Sequence, residues 1–414
     1  MLAELFPKAY VRYMSLPILG QHLDGFSVWL RAQGYPPLPI RRRVRAARRL
    51  DRLLWQRGVR HPGELTAADL LGYAPVRSQE DIDLAAVVRS LALYFEQRGV
   101  LAPTPPTATQ RLVNAYRIHL ERHRGLAAST VQHHTATAGE FLEFVGYDHG
   151  PDRLQALGPR DWEGFIHRLA MRRSRASLQH VVAHLRTFLR FLAGRGCVPA
   201  NLAGQVDTPR TYRGERLPRA LPWETVLAFL GAIDRSTHIG RRDYAMFLLI
   251  ATYGLRTSEV ASLSLDDLEW RARMIRVPRP KVVSPLILPL TEEVGAAIVD
   301  YLQHSRPDLA RREVFLRVRP PEGILKPTAV TEAFQAWTRR SRLPISFKGP
   351  HCLRHSLAMH LLRQGAPLKT IGDILGHRSS ESTSVYLRLH VDELRGVAID
   401  LPDDVEVEGA NEHA

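Results

Sequence analysis

The 414-residue chain is poor in cysteine, with only Cys197 and Cys352, and poor in lysine, with five. Two such cysteines supply neither a disulfide framework nor a zinc pattern, and they fit a reducing cytoplasm. No apolar run approaches the roughly eighteen residues a membrane helix needs, so no membrane partner is expected. Met1 to Tyr13 carries scattered charge and lacks the apolar centre of a secretory signal. A Gly-rich phosphate loop ending in lysine and a His-Glu-x-x-His pair are also missing, which leaves no cofactor to expect.

What is present is charge of one sign. Lysine and arginine number 57 against 42 acidic residues, a net charge of +15, and the isoelectric point is about 10.3. A polyanion is the natural partner, although arginine-rich composition alone also raises the isoelectric point. Hydrophobic residues make up 45% of the chain, enough for real cores, and the length suits two or three domains. Pro-rich stretches at Ala102–Thr107 and Asp207–Arg219 read as breaks, since proline stiffens the chain and removes backbone donors. The expected domains are 1–102, 107–205 and 220–400, with a linker at 206–219 and an acidic tail at 401–414.

The first two domains resemble each other. Leu84, Val88, Leu91, Phe95 and Gly99 match Val181, Leu185, Phe188, Leu192 and Gly196 at an offset of 97. Phe26 and Leu30 match Tyr116 and Leu120 at an offset of 90, as loop insertions would allow. One helical unit of about ninety residues, present twice, is the reading; the plainer one is that amphipathic bundles share apolar spacing. Each copy carries an arginine cluster, Arg41, Arg42, Arg45 and Arg49 in the first and Arg172, Arg173 and Arg175 in the second, with Arg213 in the linker. Packed like charges repel unless an anion neutralises them, so these are candidate DNA-phosphate contacts.

Beyond residue 217 the pattern changes. Helices are predicted over 223–233, 242–253, 291–303, 328–341, 351–363, 367–375 and 380–398. Met274–Val277 and Leu286–Leu290 read as strands of a hairpin, with Val314–Leu316 a third. The fold class expected is mostly α, with a small antiparallel sheet in an α+β catalytic domain.

The informative feature is an ordered set: Arg256, Lys281, His351-x-x-Arg354, His377 after the only Leu-Gly-His, and Tyr386 nine residues later. A phenol of pKa about 10 must lose its proton to attack a phosphodiester. Negative charge then builds on the non-bridging oxygens, which planar, always-charged guanidinium groups bind in pairs. His351 and Arg354, three apart after Gly349-Pro350, share one face of a helix N-terminus. There His351 suits a general base and His377 a donor to the phosphate. Lys281, on the predicted hairpin turn, can protonate the leaving sugar oxygen. Each residue has a bland alternative: Arg256 a solvent-facing cap, Lys281 a turn lysine, His377 a carbonyl partner, Tyr386 core packing. Order and spacing together favour the catalytic reading.

From about residue 107 to 398 the chain resembles the tyrosine recombinase, or phage integrase, family. Ala251-Thr252-Tyr253-Gly254-Leu255-Arg256-Thr257-Ser258-Glu259-Val260 resembles its first arginine box. His351-Cys352-Leu353-Arg354-His355-Ser356, with Leu375-Gly376-His377 and Tyr386, resembles its second box and nucleophile. The resemblance implies that Arg256, Lys281, His351, Arg354, His377 and Tyr386 are the catalytic set. Where that family commonly has a glycine-rich turn, Pro278, Pro280 and Pro285 surround Lys281. The resemblance further implies a C-shaped clamp on double-stranded DNA and a homotetramer on paired recombination sites, with accessory recombinases as further partners. Cleavage would leave a 3′-phosphotyrosine and proceed through a Holliday junction, without ATP or metal, in the cytoplasm at the nucleoid.

Three other readings compete. A type IB topoisomerase uses similar groups to nick and reseal a single duplex. A DNA-binding architectural protein could keep the scaffold without the chemistry, which the complete residue set opposes. A metal-dependent nuclease would need separated carboxylates, whereas Asp266, Asp267 and Glu269 cluster in one loop.

Overall fold

The structure, a computed structural model, describes residues 1–74, 79–211, 219–279, 285–376 and 381–389. In the first hundred residues the main helices are α1 (Gly20–Ala32), α2 (Pro37–Gln56) and α3 (Gln79–Arg98). Four more follow: α4 (Ala108–Arg122), α5 (Ala128–Phe144), α6 (Pro159–Ala170) and α7 (Arg175–Gly194). Helix α4 starts where Thr107 accepts from the Gln110 backbone N–H and the Gln110 side chain accepts from that of Thr107, a reciprocal cap. Its stripe of Leu112, Tyr116 and Leu120 is buried with Phe141, Trp162, Phe165 and Phe188.

Packing divides the chain into two compact units. One comprises residues 1–12, 22–44 and 216–414, the other 13–21 and 45–215. This division runs through α2 and not through the Pro-rich break near residue 102. Residues 22–44 are tied into the first unit by the Gln33 carbonyl, which accepts from the Glu322 N–H at 3.1 Å. Gly34, at φ +82, also lies so near Glu322 that a Cβ would meet its carboxyl carbon at 2.3 Å.

The matched positions of the first two segments have matching local structure. Leu84, Val88, Leu91 and Phe95 are buried, as are Val181, Leu185, Phe188 and Leu192. Both helices end on left-handed glycines, Gly99 at φ +63 and Gly196 at φ +69. Just before them Arg98 sits over Tyr94 and Arg195 over Phe191, each at 5.6 Å.

The catalytic region opens with α8 (Trp223–Gly231), α9 (His238–Tyr253) and the short α10 (Thr257–Ser262). Helix α9 begins four residues before Arg242 because Thr237 caps the Gly240 N–H at 3.0 Å. Strands β1 (Leu268–Glu269), β2 (Met274–Val277) and β3 (Leu286–Pro289) form an antiparallel sheet in that order, with Ile275 opposite Leu288. The expected third strand at 314–316 is therefore not in this sheet. Leu268–Glu269 takes that place, and β4 (Leu316–Arg317) pairs with β5 (Gly323–Ile324) in a separate ribbon. Val314 and Phe315 are apolar because they are core; a short apolar run does not distinguish the two roles.

Four helices complete the unit: α11 (Glu292–His304), α12 (Pro327–Ser341), α13 (His351–Arg363) and α14 (Leu368–Leu375). Phe229, Phe247 and Phe334 meet at ring separations of 5.0–5.9 Å in the core. Buried Asp243 accepts from Arg242 at 2.7 Å and from the Trp337 indole at 2.8 Å, so its charge is compensated. Of the helix predicted over 380–398, residues 381–389 are described: one α-turn, α15 (Glu381–Ser384), then a 3₁₀ stretch, Val385–Leu389.

Candidate active site

Helix α9 ends at Gly254, whose left-handed φ of +64 turns the chain. Glycine is required there twice over, since a Cβ would also lie 2.5 Å from Leu375 Cδ2. The turn delivers Arg256 to the start of α10, where its backbone N–H and its Nη1 each donate to the Glu259 carboxylate at 2.8 Å. Glu259 is buried, while the Arg256 side chain stays 40% exposed.

Arg354, one turn into α13, is 1% exposed. Its Nη1 donates to the Gly254 carbonyl and its Nη2 to that of Leu375 at 2.6 Å. These are the carbonyl ends of α9 and α14, where the helix dipole favours a cation. Burial, and then the Arg256 charge, push Arg354 down to about 10, so it remains protonated at neutral pH. One residue, Leu375, thus fixes both the glycine turn and the buried guanidinium.

His351 opens α13 with its side chain exposed. The surrounding protein, then Arg354 and Arg256, hold it below the ordinary imidazole value. It meets His355 edge to face at 4.5 Å. The imidazole on the tyrosine oxygen is that of His355, whose Nδ1 is 2.8 Å from Tyr386 Oη. Tyr386 is 1% exposed; burial raises its pKa, and the Arg354 charge opposes the rise.

Arg256, His351, Arg354 and Tyr386 therefore lie in one compact unit, with Arg354 in electrostatic reach of each of the other three. Lys281, His377 and Arg213 lie outside the described residues. Of the other arginines singled out, Arg42, Arg45, Arg49, Arg172 and Arg175 are exposed, and Arg41 is partly buried. Arg173 differs: its fork is spent on both oxygens of Glu140, at 2.8 and 2.9 Å.

Three residues at the site were not singled out by sequence: Glu259, His355 and Arg279. Glu259 stands three residues after Arg256 and His355 directly after Arg354, so local spacing held the signal. Arg279 is two residues before Lys281. Its Nε is 3.6 Å from Glu259 Oε1, with the side chain 9% exposed, and its Nη2 is 3.5 Å from the Leu375 carbonyl.

Known proteins give the same picture. The phage integrase family model matches residues 220–393, and the phage integrase N-terminal SAM-like domain matches 113–196. A Sinorhizobium fredii protein named as an integrase/recombinase, y4rA, is 34% identical over 389 residues, covering 92% of this chain and 94% of its own. Tyrosine recombinase XerD of Listeria monocytogenes is 30% identical over 278 residues, 66% of this chain and 91% of its own. Among solved structures, XerH site-specific recombinase in a post-cleavage complex with palindromic difH substrate aligns at TM-score 0.54 and 14% identity, covering 80% of this chain and 92% of that one. A lambda integrase dimer bound to a COC′ core site aligns at 0.51 and 16%, covering 80% and 91%. At that identity the structures speak for the fold alone, and the sequence relatives carry the family: this chain belongs to the phage integrase family and is a site-specific tyrosine recombinase.

Proposed function

We propose that Tyr386 attacks a DNA phosphodiester and becomes esterified to the 3′ end of the cut strand. The bond to the 5′-oxygen breaks as the Tyr386 phosphate bond forms, and the 5′-hydroxyl of a partner strand later attacks that phosphotyrosine, joining the two strands and releasing the Tyr386 phenol. Energy stays in the phosphotyrosine, so neither ATP nor a metal enters the scheme. The observation that supports this reading is the nesting of a buried Arg354, an exposed Arg256 and a histidine-bonded Tyr386 around two helix ends.

Each residue has a role. Arg256 and Arg354 bind the non-bridging oxygens, whose charge grows in the transition state. His355 is the first acceptor for the phenol proton, with His351 beside it, neutral at pH 7 and facing solvent. Lys281 protonates the leaving 5′-oxygen, and His377 donates to the phosphate. Residues 1–102 and 107–205 are two DNA-binding domains that close with 220–400 around the duplex. A homotetramer on paired sites then exchanges strands through a Holliday junction, as in integration or transposition.

The test is a nicked duplex bearing the sequence that the wild-type protein selects from random DNA. Wild type should leave an adduct that survives boiling in detergent, and Tyr386→Phe should leave none. Relaxation of a plasmid lacking that sequence, without recombinants, would assign the chain to a topoisomerase-like activity. Tight binding without an adduct would make it a scaffold.

A further inference from the structure

Arg279 carries more charge into the site than the residues so far assigned require. Its side chain is nine-tenths buried, yet its Nε has no hydrogen-bond partner. A guanidinium has five N–H donors, and the contacts of this one are long, 3.5 Å to Leu375 O and 3.6 Å to Glu259 Oε1. Glu259 stays at ion-pair distance from it, while each of the two carboxylate oxygens accepts a bond from Arg256 at 2.8 Å. Burying a guanidinium whose Nε is unbonded and whose other contacts are long is costly, so a second anion is wanted here.

The surrounding backbone is shaped for this side chain. A Cβ on Gly376 would lie 1.4 Å from Arg279 Nη1, so only glycine lets the guanidinium lie against the turn that precedes His377. Among the described residues, Arg256, Arg279 and Arg354 influence one another electrostatically around the carboxylate of Glu259. Three guanidinium groups against one carboxylate leave a surplus of two positive charges. A pentavalent phosphorane carries two negative charges, so the surplus matches the transition state of phosphoryl transfer and exceeds the ground-state monoanion.

We propose that Arg279 is a third phosphate-binding arginine of this active site, its unused donors turning to a non-bridging oxygen of the scissile phosphate. The proposal rests on the tyrosine reading above and adds a residue to it. The alternative is a brace that only fixes the turn at Leu375 and Gly376.

The two are separated by comparing the selected nicked duplex with a copy whose scissile phosphate is a methylphosphonate, in which one charged oxygen is a methyl group. Wild type on the ordinary duplex is the control; if no adduct forms there, the tyrosine reading fails and not this one. Arg279→Met should slow adduct formation about a hundredfold on the phosphodiester, by the scale of a lost transition-state donor, and less than about tenfold on the methylphosphonate. Arg279→Lys keeps a point charge without the fork, so it should lose about tenfold on the phosphodiester only. It also serves if the methionine variant does not fold. Affinity for the two duplexes in a Tyr386→Phe background gives the same comparison without turnover. Equal losses on both duplexes, or no loss on either, overturn the proposal.

Discussion

Single residues decide whether the site assembles at all. Gly254 is the clearest case, because its φ of +64 and its approach to Leu375 are independent demands. Gly254→Ala adds strain in the left-handed region and pushes on Leu375, whose carbonyl holds Arg354. The expected loss is about 2 kcal/mol of stability, read as a lower urea midpoint with an unchanged slope. Adduct formation should fall further than stability alone explains. An unchanged midpoint would mean that the turn relaxes freely. Arg256, Arg354 and Tyr386 were singled out in sequence by the short motif around each, Tyr253-Gly254-Leu255-Arg256, His351-x-x-Arg354 and Leu375-Gly376-His377 with Tyr386 nine residues on. His355 and Glu259 lay beside the same motifs, but nothing local says which of two neighbouring histidines reaches the phenol. That choice follows from where residues 385–389 pack.

Among the helices, α5 and α7 hold an unusual interior. His134 and His184 face each other at 4.2 Å, His134 bonded to Tyr116 and His184 to Thr137. Burial, then the neighbouring His134, His133 and His180, lowers His184 from 6.5 to about 4, and His134 is lowered as well. For a depressed pKa the stabilising contribution is complete above 6.5 and is lost as pH falls toward 4, because the unfolded chain takes up the proton first. The melting temperature should therefore drop between pH 6.5 and 4, and His184→Gln should flatten that drop. Parallel curves for the two proteins would remove the histidine pair from the acid response. Apolar spacing marked α7, through Val181, Leu185, Phe188 and Leu192, but not α5. It did not reveal their buried histidines, since a histidine on an apolar face looks the same whether solvated or enclosed. The strand predicted at 314–316 is met only at Leu316, in the separate ribbon, for a related reason: Val314 and Phe315 are apolar from core burial, not from pairing in the main sheet.

Across the whole molecule, net charge of +15 sets the response to salt. Helix α2 buries Val44, Ala47, Leu50 and Leu54 and exposes Arg42, Arg45 and Arg49, so those arginines can be changed without opening a core. Every DNA phosphate that an arginine no longer neutralises should lower the slope of log affinity against log salt by about 0.9. Arg42→Gln, Arg45→Gln and Arg49→Gln together should reduce that slope by roughly two to three on mixed-sequence duplex DNA. An unchanged slope would take α2 off the DNA. Helix α2 also carries the division between the two compact units, which the Pro-rich break near residue 102 did not foreshadow. Proline marks where the chain stiffens, whereas packing density depends on partners hundreds of residues away, such as Glu322 for Gln33.

The sequence by itself determined the helical stripes, the excess of positive charge and the ordered Arg, His-x-x-Arg and Tyr set, because periodicity, charge and short spacings are local properties of the chain. Tertiary structure alone decided that Leu375 joins Gly254 to Arg354, that His355 holds Tyr386, and that Arg279 is buried against Gly376. Those pairings join residues from 21 to 121 positions apart, and no local rule of spacing reaches so far.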